Sequence, residues 1–270
     1  VKRAKKQSIL LTGGASGIGA ATAKLAVERG HRVLVADINL KGAQAVANAL
    51  GDAASAIELD ITQSDQWAHV LDKAWERFER LDVLMNNAAI AHPGYADRIS
   101  LEDHQSTMDV NFMGPVRGML AALPRFRQVG AGHFVTVCSM TAFLPFPGLA
   151  SYAAAKHALR AFHLALALEQ RDSNLKFTIV HPTSTETPML EHEMNSGLTL
   201  AFAAPSMSAE AIGNIILDAM DKRTVEVCVP SERGKYVKRV GANPRSLREM
   251  VIRGEALGAE QLKARLAAKA

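Results

Sequence analysis

The chain alternates short β-branched runs with longer stretches in which apolar residues recur every three or four positions. Ser8–Thr12 reads as a strand ending in a glycine-rich turn. Ile18–Arg29 reads as a helix with Ala21, Leu25 and Ala26 on one face, stopped by Gly30. The pattern repeats as strand Arg32–Ala36, helix Lys41–Leu50, strand Ser55–Leu59, helix Asp65–Arg80 and a short buried strand Val83–Met85. Leu101–Gln128 is rich in helical pattern, with kinks or breaks expected near Pro115 and Pro124. Strand Gly132–Cys138, helix Ser151–Arg171 and strand Lys176–His181 follow, then helix Ala209–Lys222 and a last strand Thr224–Val229.

Such alternation predicts an α/β fold: a doubly wound parallel sheet of Rossmann type with helices on both faces. In these sheets ligands bind beyond the carboxyl ends of the strands. Residues 183–208 break the rhythm, mixing Met189, Leu190, Met194 and Phe202 with His192, Asn195 and Gly197. The segment is too long for an ordinary connection and reads as a mobile substrate lid. With no repeat or low-complexity linker, residues 1–270 form one domain. Its core spans about 8–230, its lid about 183–208 and a C-terminal extension about 231–270.

At 270 residues and 48% hydrophobic content the chain suits one large core. It lacks a run of about 20 apolar residues that would span a membrane. The basic start, Val1 to Ser8, leads into a strand pattern and not into the apolar core of a signal peptide. Two distant cysteines, Cys138 and Cys228, give neither a metal-ligand spacing nor a disulfide framework, so no metal is expected and a cytoplasmic setting is. The net charge of +4 is uneven: residues 233–270 carry +7 and the rest −3. A solvated helical surface is the favoured reading of that tail; contact with an anionic membrane surface or nucleic acid is the lesser one.

The chemistry-bearing residues fall at strand ends. Thr12-Gly13-Gly14-Ala15-Ser16-Gly17-Ile18-Gly19 joins a strand to a helix. Glycines there let backbone approach a pyrophosphate, and the helix N-terminus offers free N–H groups. Asp37 closes the second strand, followed by Ile38. A carboxylate there can accept from ribose hydroxyls and would repel a 2′-phosphate, so NAD is expected over NADP. Asn86-Asn87-Ala88-Ala89 follows the fourth strand; its small residues and amides would suit a cofactor lying close, and equally an ordinary turn. Ser139 ends a strand, and Tyr152 and Lys156 stand four residues apart on one helical face. An ammonium beside the phenol would draw its pKa down toward the working range. His157 should face away from that pair. His181 has two open readings, substrate contact or packing. Trp67 and Trp75 read as packing residues.

Together with Asp60, Asn111 and Pro182…Thr187, these motifs resemble the short-chain dehydrogenase/reductase family over about residues 8–230. The resemblance implies Tyr152 as general acid/base, Ser139 holding the substrate oxygen, Lys156 on the nicotinamide ribose and Asn111 supporting a proton path. It implies Asp60 and Ile61 at adenine, Asn87, Ala88 and Ala89 near the adenosine ribose, and Pro182, Thr185 and Thr187 beside nicotinamide. The family pattern usually has Gly where this chain has Ala89 and Thr183, and an aliphatic residue where it has Thr185, which should reshape the pocket. Met140, Thr183 and Met189 are candidate substrate contacts. The expected activity is hydride transfer between NAD(H) and an apolar secondary alcohol or ketone. An epimerase on the same residues and a non-catalytic dinucleotide-binding protein stay open. The stretch Leu144–Leu159 resembles steroid- and retinol-type members. Homodimers or homotetramers through the helices of Leu101–Gln128 and Ser151–Arg171 are also implied.

Overall fold

The computed structural model describes residues 6–269; the basic start lies mostly outside them. Seven parallel strands form the sheet: β1 (Ser8–Thr12), β2 (Arg32–Asp37), β3 (Ala54–Glu58), β4 (Val83–Asn86), β5 (His133–Val137), β6 (Lys176–Pro182) and β9 (Glu226–Val229). Their order is β3-β2-β1-β4-β5-β6-β9, with Leu10 paired to both Leu34 and Leu84. β1 and β5 are buried at every position, as two covered faces require.

Alternation along each strand feeds two cores. Leu10, Leu34, Leu84, Phe134 and Phe177 point to one face. There they meet Trp67 and Phe78 of α3 (Ser64–Phe78), Phe126 of α5 (Gly114–Val129) and Leu159 of α6 (Ala150–Glu169). Ile9, Leu11, Val33, Val35 and Met85 point to the other. That face meets α1 (Gly17–Glu28), α2 (Leu40–Leu50) and α8 (Ala209–Lys222). Trp67 is fully buried and donates to the Ile61 carbonyl at 2.9 Å, and Trp75 lies 5.7 Å from the Phe126 ring, so both tryptophans pack as expected.

The segment expected to kink near its prolines is interrupted just before Pro115 but not at Pro124. It divides into α4 (Leu101–Met108), a π turn (Asp109–Met113) and α5. Pro115 stands in the first turn of α5, where no N–H is needed, and Pro124 lies inside α5 without ending it. The interruption occurs at Asn111, whose amide donates to the Thr107 carbonyl at 2.9 Å.

The lid segment is folded. β7 (Thr185–Glu186) pairs with β8 (Met207–Ser208), and between them come α7 (Pro188–Asn195) and a 3₁₀ turn (Leu200–Phe202). The basic extension forms α9 (Ser231–Gly241) and α10 (Pro244–Lys269), and α10 covers the lid. Leu262 is buried with Leu190, Met194, Ala201 and Phe202. Arg265 binds Glu186 and the Ser206 hydroxyl, both at 2.7 Å. At Gly258 a Cβ would fall 2.0 Å from the Thr199 carbonyl oxygen, so only glycine lets α10 lie this close. The extension thus packs on residues 183–208 of its own chain, where the charge pattern had favoured a solvated surface.

Two predictions follow from this packing. Truncating Leu262 to Ala should cost about 2–3 kcal/mol locally, read as faster amide hydrogen exchange across residues 188–203 with β4–β6 still protected. Equal loss of protection throughout the sheet would contradict it. The second concerns His133 at the start of β5 and His163 of α6, both buried. Burial, with smaller contributions from Arg223 and Lys176, lowers His133 to about 4. Burial, with His133 and His181 adding to it, lowers His163 to about 3. The unfolded chain binds these protons near 6.5, so their stabilisation is whole above that pH and declines as pH falls toward 4 and 3. Replacing His163 by Leu should flatten the fall of unfolding free energy between pH 6 and 4 by about 1.4 kcal/mol per pH unit, measured by urea titration.

Candidate active site

The strand order reverses between β1 and β4, and the turns after these strands meet there. Gly13 adopts φ +67°, and a Cβ on it would lie 2.6 Å from the Ala88 Cα. The Asn87 amide donates to the carbonyls of Thr12 and Gly13, both at 3.0 Å. The Thr12 hydroxyl accepts from the N–H groups of Asn87 and Ala88. A Cβ on Gly19 would sit 2.0 Å from the Gly13 carbonyl oxygen. Gly13 and Gly19 are therefore demanded by close packing of the protein's own backbone.

The same turn fits a dinucleotide. Gly17, at φ +53°, opens α1 beside Thr187, and Ser16 occupies the N-cap with no capping hydrogen bond from its side chain. The first N–H groups of α1 are thus left for an anion such as a diphosphate. Asp37 accepts from the Ala15 N–H at 3.0 Å and the Asn39 N–H at 2.9 Å, which fixes its carboxylate at the end of β2 with acceptor capacity left for ribose hydroxyls. Ile38 beside it is exposed. Asp60 turns back to accept from Thr62, and Ile61 is buried against Gly114. The Ile61 side chain is thereby withdrawn into the core, so only its backbone is available for the adenine contact that the resemblance implied.

Ser139, Met140, Tyr152, Pro182, Thr183, Thr185, Thr187, Met189 and Ile18 line one cavity of about 830 Å³. The sequence singled out all nine, and the fold brings them together at the carboxyl ends of β5 and β6. Ser139 follows β5 as the N-cap of a 3₁₀ turn (Met140–Ala142), its hydroxyl accepting from the Thr141 N–H at 3.1 Å. Tyr152 lies in the first turn of α6 and Lys156 one turn later, with the Lys156 Nζ 5.3 Å from the Tyr152 ring centroid. His157 points away and bonds the Ala153 carbonyl. Asn111 is fully buried and spends its amide on Ile90 and Thr107 backbone, fastening the loop after β4.

The electrostatics differ from the simple picture of a cation lowering a phenol. Burial pushes the Tyr152 phenol above its ordinary range, and the charges of Glu193 and Cys138 add to that. A hydrogen bond with the Ser139 hydroxyl works the other way. Lys156 is itself lowered by burial. Its ammonium stands over the ring, and desolvation is the larger effect on both groups.

His181 is buried, and its two nitrogens face the Ser139 carbonyl at 3.0 Å and the Glu226 carboxylate at 3.1 Å. Both partners are acceptors, an arrangement that favours the doubly protonated ring. Its pKa is raised accordingly: burial alone would lower it, but contacts with Cys138, Glu226 and the Ser139 backbone prevail. Glu226 also accepts from Arg160 at 2.6 Å and Lys238 at 2.8 Å. Despite its burial, the hydrogen bonds from His181, Arg160 and Lys238 hold its carboxyl well below the usual range. His181 thus packs behind Ser139, and the open choice between substrate contact and packing falls to packing.

Sequence reasoning missed the remaining wall. Glu193 of α7, Arg233 and Val237 of α9, and Met250, Gly254 and Leu257 of α10 also line the cavity. Glu193 lies within the segment read as a lid but was not singled out, and nothing local marks the others, which reach the site only when α9 and α10 fold back over that segment.

Comparison with known proteins places this arrangement. The family model for short chain dehydrogenases matches residues 7–196. The 2,5-dichloro-2,5-cyclohexadiene-1,4-diol dehydrogenase LinX of Sphingobium indicum is 37% identical over 183 residues, covering 67% of this chain and 73% of that protein. The 3-alpha-(or 20-beta)-hydroxysteroid dehydrogenase of Mycobacterium tuberculosis is 34% identical over 182 residues, covering 67% and 70%. Among solved structures, 3-ketoacyl-(acyl-carrier-protein) reductase from Brucella melitensis complexed with NADH superposes with a TM-score of 0.75 at 27% identity, over 82% of this chain and 95% of that one. On the strength of these matches and of the glycine-rich turn, Ser139, Tyr152 and Lys156 in one fold, the chain belongs to the short-chain dehydrogenase family.

Proposed function

We propose that the protein transfers a hydride between NAD(H) and a secondary alcohol or ketone, with Tyr152 as general acid/base. The observation that carries this reading is the meeting of Ser139 and Tyr152 hydroxyls on the wall of a largely apolar cavity, with Lys156 over the phenol ring. The two relatives named above act on a cyclic diol and on hydroxysteroids by their names, and the matching reductase was solved with NADH, which supports the same assignment.

The uncapped start of α1, with Ser16, Gly17, Ile18 and Gly19, would hold the diphosphate. Asp37 would take the adenosine ribose hydroxyls and exclude a 2′-phosphate. Asn87, Ala88 and Ala89 would flank that ribose, with Asp60 and the Ile61 backbone toward adenine. Pro182, Thr185 and Thr187 would border nicotinamide. The bound dinucleotide supplies the hydride donor or acceptor. Ser139 donates to the substrate oxygen as negative charge grows there, which stabilises the transition state more than the ground state. In reduction Tyr152 delivers its proton to that oxygen; in oxidation it removes the proton. Its raised pKa keeps the phenol protonated at rest, ready for reduction. Lys156 positions the ring from above and would hold the nicotinamide ribose. Asn111 is a positioning residue that keeps the Ile90 loop in place. Met140, Thr183 and Met189 would contact the substrate body.

We further assign a homodimer or homotetramer through α5 and α6, whose Leu120 and Leu168 are more than half exposed. Among the described residues no helix is long and apolar enough to cross a membrane. The two free cysteines suit a reducing, cytoplasmic setting.

Replacing Tyr152 by Phe should lower kcat by about 10²–10⁴-fold while NADH affinity stays nearly unchanged, measured by ketone-dependent NADH oxidation and by fluorescence titration. Near-normal turnover would sink the assignment. Replacing Asp37 by Ala should weaken NADH binding and narrow its advantage over NADPH. Unchanged relative affinities would refute the role of this carboxylate.

A further inference from the structure

The cavity above Tyr152 is apolar over most of its wall, yet two ionisable side chains, which form no ion pair among the described residues, line it. Glu193 comes from α7, and Arg233 comes from the first turn of α9. Desolvation is the sole cause of both shifts: the Glu193 carboxyl rises to about 7 and the Arg233 guanidinium is lowered. Among the described residues the side-chain partner of Arg233 is a neutral hydroxyl, not the Glu193 carboxylate.

Their ways out of this situation differ. A buried carboxyl can keep its proton, and Glu193 does so over the acidic half of the neutral range. A guanidinium remains charged at any working pH, so a half-buried one calls for an anion. The side-chain hydrogen bond that holds Arg233 is donated by Nη1 to the Thr183 hydroxyl, a neutral partner. That hydroxyl is present because position 183 is Thr where the family pattern usually has Gly. Arg233 also stands in the N-terminal turn of α9, where the helix dipole disfavours a cation and favours an anion. The remaining charged lining residues are Arg239, Arg253 and Glu249, so the lining holds more cations than carboxylates.

We propose that the physiological substrate is a hydroxy or keto acid with an apolar body, and that Arg233, held by Thr183, binds its carboxylate while the alcohol or ketone end lies at Ser139 and Tyr152. Arg233 is then a specificity-determining residue. This rests on the redox reading above only for which end reacts. The fork of the guanidinium suits a carboxylate, which it can grip with two parallel bonds. The cavity of about 830 Å³ leaves room for a ring or short chain between the two ends.

The test uses the holoenzyme with NADH. Cyclohexanecarboxylate serves as a non-reacting probe in calorimetric titration, and 4-oxocyclohexanecarboxylate and its methyl ester serve as reducible probes. Cyclohexanecarboxylate should bind the wild-type complex and the Tyr152→Phe complex, and Arg233→Met should weaken it by about tenfold or more. The same variant should lower kcat/KM for the keto acid at least about tenfold more than for the ester, mainly through KM. Arg233→Lys should restore part of the loss. NADH affinity of Arg233→Met should match the wild type. Failure of the carboxylate to bind the wild type, or an acid-to-ester ratio unmoved by Arg233→Met, overturns the proposal. A parallel loss of NADH affinity also overturns it, because the cation would then serve the dinucleotide. Carboxylate binding that depends on Arg233, with turnover persisting in Tyr152→Phe, would instead refute Tyr152 as the general acid/base and leave this proposal standing.

Discussion

The parallel pairing of β1 with β4, where the strand order reverses, is the constraint on which the site depends. It brings the turn after Thr12 against the turn after Asn86. Each turn completes the other: Asn87 satisfies carbonyls of the glycine turn, and the Thr12 hydroxyl satisfies N–H groups of the Asn turn. Backbones that close leave no room for a Cβ at Gly13 or Gly19. The glycines thus serve the protein's own packing first, and the open helix N-terminus beside them is what that packing leaves available.

Desolvation governs the chemistry at the neighbouring strand ends. It raises Tyr152 and Glu193, lowers Lys156 and Arg233, and holds His133 and His163 neutral. His181 escapes because Glu226 compensates it directly, and Glu226 in turn is held by Arg160 and Lys238. This network joins β6, β9, α6 and α9 directly behind the Ser139 carbonyl. It fixes the serine's backbone with charge-assisted bonds, which are stronger and more directional than neutral ones. Arg233 belongs to the same helix as Lys238 but faces the cavity, so one helix supplies both a satisfied cation behind the site and an unsatisfied one within it.

Much of the site was legible because its determinants are local. A glycine turn between strand and helix, an acidic residue at a strand end, and Tyr152 and Lys156 at helical spacing all declare themselves within a few residues. The reading erred where a local rule met a competing interaction. Pro124 stays inside a continuous helix, while the interruption falls just before Pro115, where the Asn111 amide also takes a helix carbonyl. Spacing placed the Lys156 ammonium on the right face of the phenol, and only the fold shows that burial acts on both groups, raising Tyr152 and lowering Lys156.

The sequence by itself determined the α/β alternation, the parallel sheet and the residues at its carboxyl edge, because strand and helix periodicities are written in neighbouring positions. It also determined that the positive charge belongs to the C-terminal segment. Only the tertiary structure decided what that segment does. Gly258 lets α10 press onto the Thr199 backbone, Leu262 enters the lid's apolar cluster, and Arg265 meets Glu186. These contacts join residues some 60–80 positions apart, and no local pattern encodes such a meeting. Through them a stretch that reads as solvated surface becomes a wall of the cavity, carrying the charges that distinguish it from a plain apolar pocket.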